Sequence, residues 1–411
     1  MKSVIHKTAA ARAIERCREL AKCTETPGGT TRLFLSAAMR ECHRHMRAWM
    51  EAAGMTVTVD PAGNIRGMLG NGDEKAPRLL VASHLDTVPN AGAFDGVLGV
   101  VMGVGLVEEL HGLPLPFAIE VIGFSEEEGV RYGAPFIGSR ALTGTVDAEL
   151  LARKDARGET VGDAIVEFGL DGGRIHEAAL KQTPLGYLEI HIEQGPVLEA
   201  ENLAVGVVDA IAGQTRAEVK FSGEANHAGT TPMHLRHDAL NAAAEWMLAV
   251  EAQARAIDGL VATTGRVQAT PGAVNVIAGE ARVTLDVRHA EDEVRCGAVE
   301  AMQASAQRIA KRRGVTAEWV ARSEQVAVAM DERLTAMLED AARETGAKSR
   351  RMTSGAGHDA MIVAPLMPAA MLFVRSPGGV SHHPEETVRE EDVEQAMQVA
   401  VEFVKKLALE K

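Results

Sequence analysis

Aromatic residues make up only 3% of the 411-residue chain, so its cores must rest on Ala, Val, Leu, Ile and Met. Cysteine is scarce as well. Cys17, Cys23, Cys42 and Cys296 lack a paired zinc-ligand spacing, and nothing about them matches a secreted disulfide framework. Reduced, partly buried thiols are expected. No apolar run approaches the roughly 18 residues that a membrane span needs. The opening segment, MKSVIHKTAAARAIERCREL, has no apolar signal core and reads as an amphipathic helix. These absences point to a cytoplasmic protein with no membrane partner. Positive charge is in deficit, with 43 Lys and Arg against 57 Asp and Glu and a net charge of -14. That balance argues against nucleic acid or an anionic membrane surface as the partner.

A chain of this length favours two domains over one core. Its first half alternates buried strands with helices: Arg78 to Asp86, Phe117 to Ser125 and Gly186 to Glu193 read as strands, and Gly96 to Leu110 as a helix with a small-residue face. That order predicts an α/β fold with a mixed, largely parallel sheet. Near Ala212 the pattern changes. Strands are expected at Arg216 to Ser222, Val261 to Ala269, Ala281 to His289 and Val315 to Arg322, with helices at His237 to Ile257 and Glu291 to Arg313. The order βαββαβ is that of a ferredoxin-like sandwich. The predicted division is a domain of residues 1–211 and 326–411 with an inserted domain at 212–325. Helices at Asp331 to Thr345 and Glu391 to Leu409 and a strand at Ala369 to Val374 complete the chain.

The residues that carry chemistry stand at the ends of the predicted strands, where open α/β sheets bind their ligands. His84 and Asp86 (SHLD) close the first strand, and their i, i+2 spacing puts them on one face, so that Asp86 can orient His84. Asp95 lies just beyond in GAFDGVLG, where a carboxylate can bridge two cations. Glu126, Glu127 and Glu128 (FSEEEG) close the next strand. Three adjacent carboxylates repel one another unless a cation or a shared proton offsets them. Alternate side chains point apart, so one can bind metal while its neighbour faces a water. His191 ends a third strand and His382 lies in the loop GGVSHHPEE. Taken singly, each has an ordinary explanation as a surface histidine, a solvated turn or a turn aspartate. Their common position points instead to mixed N and O ligands suited to Zn²⁺, Mn²⁺, Co²⁺ or Ni²⁺.

Seven segments in order, SHLDTVPNAGAFDG, FSEEEGVRYG, EIHIEQGPVLE, ANHAGTTPM, GAVNVIAGE, SGAGHDA and SHHPEE, resemble the amidohydrolase branch of the M20 metallopeptidase family. That branch holds N-carbamoyl-L-amino-acid hydrolases, allantoate amidohydrolase and the yeast-type β-ureidopropionase. The resemblance spans essentially the whole chain. It implies that His84, Asp95, Glu128, His191 and His382 hold two divalent ions per subunit, Zn²⁺ or Mn²⁺ with Co²⁺ or Ni²⁺ as alternatives, and that Asp95 bridges them. Glu127 is then the general base and Asp86 the support for His84. The pattern Ser-His-x-Pro selects His382 over His383. The inserted domain becomes a lid through which a homodimer forms.

For the substrate, the resemblance implies that Arg288, Arg216 and Asn275 bind the carboxylate and ureido groups. Gln194 and His358 would line the pocket, and His227 would stabilise the oxyanion in the partner subunit's site. A guanidinium can hold a carboxylate bidentately, which a lysine cannot imitate. The expected reaction is hydrolysis of the carbamoyl C–N bond of a small carboxylate-bearing ureido compound. An N-carbamoyl-L-amino acid and allantoate both fit the motifs, and GAFDGVLG and RYGAPFIGSRALTG resemble the former enzymes more. A non-catalytic binding protein on this scaffold would be expected to lack the base or a ligand, and here all six are present.

Overall fold

A computed structural model of the chain describes residues 7–70 and 77–410. They form two compact units, Met1–Asp209 with Met330–Lys411, and Ala210–Ala329.

In the first unit, four strands run parallel in the order Ala118–Phe124, Arg78–His84, Gly186–Ile192 and Ala369–Val374. Each is buried almost throughout. Near-continuous Val, Ile and Leu make them suited to a sheet covered on both faces. Antiparallel neighbours flank them, Ile65–Leu69 on one side and Val205–Ile211 on the other. These two strands and the edge strand Thr56–Val59 are not apparent in the sequence, where their short or Gly-interrupted runs give little periodicity. The sheet is therefore mixed but parallel at its centre.

Helix Val97–Glu109 lies against this centre and is buried almost along its length. Its glycines let the backbones approach. A Cβ on Gly99 would fall 1.9 Å from the Ile190 carbonyl oxygen, and one on Gly103 3.0 Å from Val121. Helices Ala9–Leu20 and Glu390–Leu409 pack beside it. The first is capped by the Thr8 hydroxyl, which accepts from the Ala11 N–H. The part of the expected N-terminal helix at residues 1–6 lies outside the described residues. No helix among the described residues is long and apolar enough to cross a membrane.

The second unit is an antiparallel sheet covered by two helices, Ala239–Arg255 and Asp292–Arg313. Strand Glu280–His289 pairs along its length with Gly213–Ser222, which in turn pairs with Thr316–Gln325. Trp246 anchors the core, with its indole N–H donating to the Met302 carbonyl at 2.9 Å. The single strand expected from Val261 to Ala269 is broken into Val261–Thr263 and Val267–Thr270. Thr263 stands opposite Asp286 and Val267 opposite Val283, so one strand carries an extra residue. The bulge falls at Thr264–Gly265–Arg266, where glycine relaxes the pairing.

Candidate metal centre and active site

The four parallel strands end side by side, and each delivers donor atoms. His84 is the last residue of its strand, Ser125 to Glu128 follow Phe124, and His191 lies one before the end of its own strand. The chain beyond Val374 returns with Ser381 and His382. Among these groups Asp95 occupies the centre, 3% exposed. Its two oxygens face different partners. Oδ1 lies 3.2 Å from His191 Nε2 and 3.7 Å from His84 Nε2, and Oδ2 lies 3.2 Å from His382 Nε2. Glu128 Oε1 is 3.5 Å from the same His382 nitrogen. Donor atoms of His84, Asp95 and His191 lie within 4.8 Å of one another, and so do those of Asp95, Glu128 and His382. The two triads share the Asp95 carboxylate. Glu127 enters a third group, with His84 and Glu128.

The hydrogen bonds behind the rings fix what the rings present. His84 Nδ1 lies 3.0 Å from the Asp86 carbonyl and His191 Nδ1 2.8 Å from the Ile192 carbonyl. A carbonyl oxygen only accepts, so Nδ1 keeps its proton and Nε2 is the nitrogen that carries the lone pair whenever the ring is neutral. The two Nε2 atoms are 3.4 Å apart. Beside them, the buried Asp95 Oδ1 has no hydrogen-bond partner among the described residues. In the neutral rings, three electron donors therefore converge on one point. A divalent cation satisfies all three at once, so the residues fit a metal.

The charge balance agrees. Burial disfavours a positive His84 ring, but the carboxylates of Asp86 and Asp95 outweigh it and hold its pKa well above the ordinary value. His191 is raised by Asp95 against the same burial. Burial alone would raise Asp95, yet His191, His382 and His84 hold it well below the usual carboxylate range. Burial pushes Glu127 well above that range, opposed by His84 and reinforced by Glu128. Burial likewise lifts Glu128 to about 7, against the pull of His84. The pocket thus favours positive charge and holds back the ionisation of its glutamates.

Asp86 has a second task that the sequence did not reveal. Its Oδ1 is 3.5 Å from His84 Nδ1, but its closer partners are the backbone N–H groups of Glu127 and Glu128, at 2.9 and 3.0 Å. One carboxylate therefore braces both a histidine and the pair of glutamates. Gln194, expected to line the substrate pocket, turns its amide onto Asp95 Oδ2 at 2.9 Å and Ser381 Oγ at 3.2 Å. Gln194 and His382 both have φ of 56°, a left-handed backbone that costs a non-glycine residue about 1–3 kcal/mol. Such strain clusters where a side chain's aim matters. His358 is 1% exposed and lies edge-on to His191 at 4.4 Å between ring centroids, with Nε2 2.8 Å from Ser354 Oγ. Burial keeps it neutral. It backs His191, a metal-ligand candidate.

Two further buried acids, missed in the sequence, are Glu189, midway along its strand, and Glu386, in the chain after His382. Glu189 accepts from the Ala360 N–H at 2.8 Å and the Tyr187 hydroxyl at 3.0 Å. Its i, i+2 spacing to His191 was a usable signal. Glu386 accepts from the backbone of the Asp95 loop, which only the folded chain brings near it.

Within the second unit, Arg216 and Arg288 share one carboxylate. Asp286 Oδ2 accepts from Arg216 Nε at 2.9 Å, and Asp286 Oδ1 from Arg288 Nε at 2.8 Å. Asp286 and Arg216 are paired across adjacent strands, and Arg288 is opposite Gln214, whose amide also donates to Asp286. The two arginines thus already form a carboxylate-binding pair. Asn275 is exposed, and its carbonyl accepts from the Ala228 N–H. His227, also exposed, accepts at Nδ1 from the N–H groups of Gly229 and Thr230, both at 3.1 Å. Its proton therefore sits on Nε2, as a donor facing outward from that turn.

Comparison with known proteins gives a consistent result. The family model described as peptidase family M20/M25/M40 matches residues 80–406. An N-carbamoyl-L-amino acid amidohydrolase of Geobacillus stearothermophilus is 39% identical over 96% of this chain and 97% of its own length. Allantoate deiminase 1 of Glycine max is 36% identical over 96% of this chain and 89% of its own. Among solved structures, a hydantoinase/carbamoylase family amidase from Burkholderia multivorans superposes with a TM-score of 0.91, at 33% identity and 98% coverage of both chains.

Proposed function

Because the chain belongs to peptidase family M20/M25/M40, we propose that it is a two-metal amidohydrolase acting on the carbamoyl C–N bond of an N-carbamoyl-L-amino acid. The observation that carries this reading is the buried Glu127 carboxyl, 8% exposed, beside two donor triads that share Asp95. His84 and His191 would hold one ion, Glu128 and His382 the other, and Asp95 both. The ions, when bound, supply Lewis acidity to the substrate carbonyl and lower the pKa of water towards ~7.

The chain's own residues do the rest. Glu127 takes a proton from the attacking water and returns it to the leaving nitrogen. A base whose pKa lies near the working pH does this best, and burial has moved Glu127 in that direction. Asp86 holds the Glu127 and Glu128 backbone so that neighbouring carboxylates keep separate tasks. Water adds across the C–N bond, and the carbamic acid released breaks down to ammonia and carbon dioxide beside the freed amino acid.

The second unit, in this proposal, is a lid and dimerisation domain. Arg288 and Arg216 take the substrate carboxylate, and Asn275 the ureido group. His227 is the donor that stabilises the oxyanion in the partner subunit's site, acting through Nε2–H. Gln194 and His358 support the pocket from beneath, through Asp95 and His191.

Allantoate is the second reading, favoured by the similarity to the soybean deiminase. Ammonia release by the Mn²⁺-loaded chain from N-carbamoyl-L-amino acids, their D-enantiomers and allantoate decides between them. Turnover of the L-compounds with little on allantoate is expected, and the reverse would make this an allantoate amidohydrolase. Glu127→Gln should keep its metal and lose about 10²–10⁴-fold in kcat; retained turnover removes Glu127 as the base.

A further inference from the structure

We propose that Glu386 is a positioning residue for the metal centre: it locks the loop carrying Asp95 to the loop carrying His382. Its Oε1 accepts from the Phe94 N–H at 2.7 Å and from the Asp95 N–H at 3.0 Å. Glu386 stands four residues after His382, and its own N–H donates to the His383 carbonyl at 3.0 Å. One side chain thus joins two ligand-bearing loops nearly 300 residues apart in sequence.

Three features indicate that this join serves the centre. Glu386 is 5% exposed and its carboxyl lies against the Phe94–Asp95 backbone, so the chain buries a second acidic side chain beside Asp95. That arrangement is costly without compensation. Gly92 is shaped around it, since a Cβ there would fall 2.4 Å from Glu386 Cβ and 2.8 Å from Oε1. The backbone of Asp95 is also under tight control elsewhere. Its carbonyl accepts from the Val97 N–H at 2.7 Å, and Gly96 turns with φ of 66°. Gln194 and Ser381 fix the outer end of the Asp95 side chain, both on Oδ2. Glu386 fixes its backbone end, so the direction of both carboxylate oxygens is set from two sides. Groups that orient ligands in this way typically change metal affinity by about 10–100-fold when removed.

The proposal rests on the metal-centre assignment and not on the identity of the substrate. It is tested with Co²⁺ added to the metal-free full-length chain, following the visible absorption of the bound ion and chelator competition for its affinity. Glu386→Ala, at a temperature where circular dichroism shows it folded, should bind Co²⁺ about 10–100-fold more weakly with a shifted spectrum. Its kcat should fall while KM stays. Glu386→Gln keeps an accepting oxygen and should restore the wild-type spectrum and most of the affinity. Unchanged affinity and spectrum in Glu386→Ala, with only a lower melting temperature, would make the residue a fold support and overturn the proposal. If the alanine variant does not fold, Glu386→Asp decides, because its shorter arm withdraws the acceptor while keeping the charge. Wild-type-like Co²⁺ binding by that variant is again refuting. A wild-type chain that took up no Co²⁺ would instead refute the metal centre itself.

Discussion

Replacing Asp86 by asparagine is the most informative single change, because the side chain keeps its size and alters only what it can accept. In the folded chain its two oxygens each take one backbone N–H, from Glu127 at 2.9 Å and Glu128 at 3.0 Å. Whichever way the amide of Asp86→Asn turns, its NH₂ faces one of those N–H groups, donor against donor. One charge-assisted hydrogen bond is lost, at about 1.5–3 kcal/mol, and the other is weakened. The expected loss of stability is about 2–4 kcal/mol in the metal-free chain. The same change loosens the Glu127–Glu128 backbone and removes the negative charge 3.5 Å from His84 Nδ1. Metal affinity should then fall about 10–100-fold, which at 1.4 kcal/mol per decade is about 1.4–2.8 kcal/mol. Urea denaturation of the metal-free protein measures the first quantity and chelator competition the second. A variant within 0.5 kcal/mol of wild type in the first and about twofold in the second would show that neither contact matters, and the reasoning would fail.

Two other outcomes follow from the same geometry. Gly96→Ala would place a methyl 2.3–2.4 Å from three atoms of the His84 ring, on a backbone with φ of 66°; overpacking should cost about 1–3 kcal/mol in urea denaturation and weaken metal binding at least tenfold, and normal metal uptake would contradict the placement of His84. Metal-free stability should fall as pH rises through about 7. Burial lifts Glu128 to about 7 from 4.5, so between those values the folded chain binds more protons than the unfolded one. His84, His191 and His382, all raised above 6.5, hold their stabilising protons below that value and lose them as pH climbs through their folded pKa values. Metal displaces these protons, so affinity should climb over the same window. A metal-free melting temperature that rises steadily from about pH 5 to 8 would reverse the sign.

The parallel centre of the sheet was legible because strands buried on both faces spell nearly unbroken apolar runs, as in Arg78–His84 and Ala118–Phe124. The flanking strands were not. Ile65–Leu69 contains Gly67, whose hydrogen takes the place of a side chain that would meet Met50 and Met55, and such packing leaves no periodic trace. The bulge at Thr264–Gly265–Arg266 was hidden for a related reason. Strand residues continue on both sides of it, and only the pairing with Glu280–His289 exposes the extra residue.

Part of the candidate donor set was legible in sequence, because His84, Glu128 and His191 stand at or just beyond strand ends and strand ends can be read. The groups that aim them were mostly invisible, because Glu386 reaches Asp95 across nearly 300 residues and Gln194 reaches it across 99. The structure also supplies a reason why so many such braces are needed. Asp86, Asp95, Glu126, Glu127, Glu189, Asp359 and Glu386 are all buried, at no more than 8% exposure. Several are pushed up by that burial, and in Asp359 and Glu126 buried oxygens have no hydrogen-bond partner among the described residues. Without a cation this is a poor core, since each ionisation is opposed by its neighbours. The backbone amides of Phe94, Asp95, Glu127, Glu128, Gly129 and Ala360 offset part of that repulsion and hold the carboxylates apart. On the proposed two-ion reading, metal binding would offset much of the rest, and the energy that orders this pocket would be coupled to its ions.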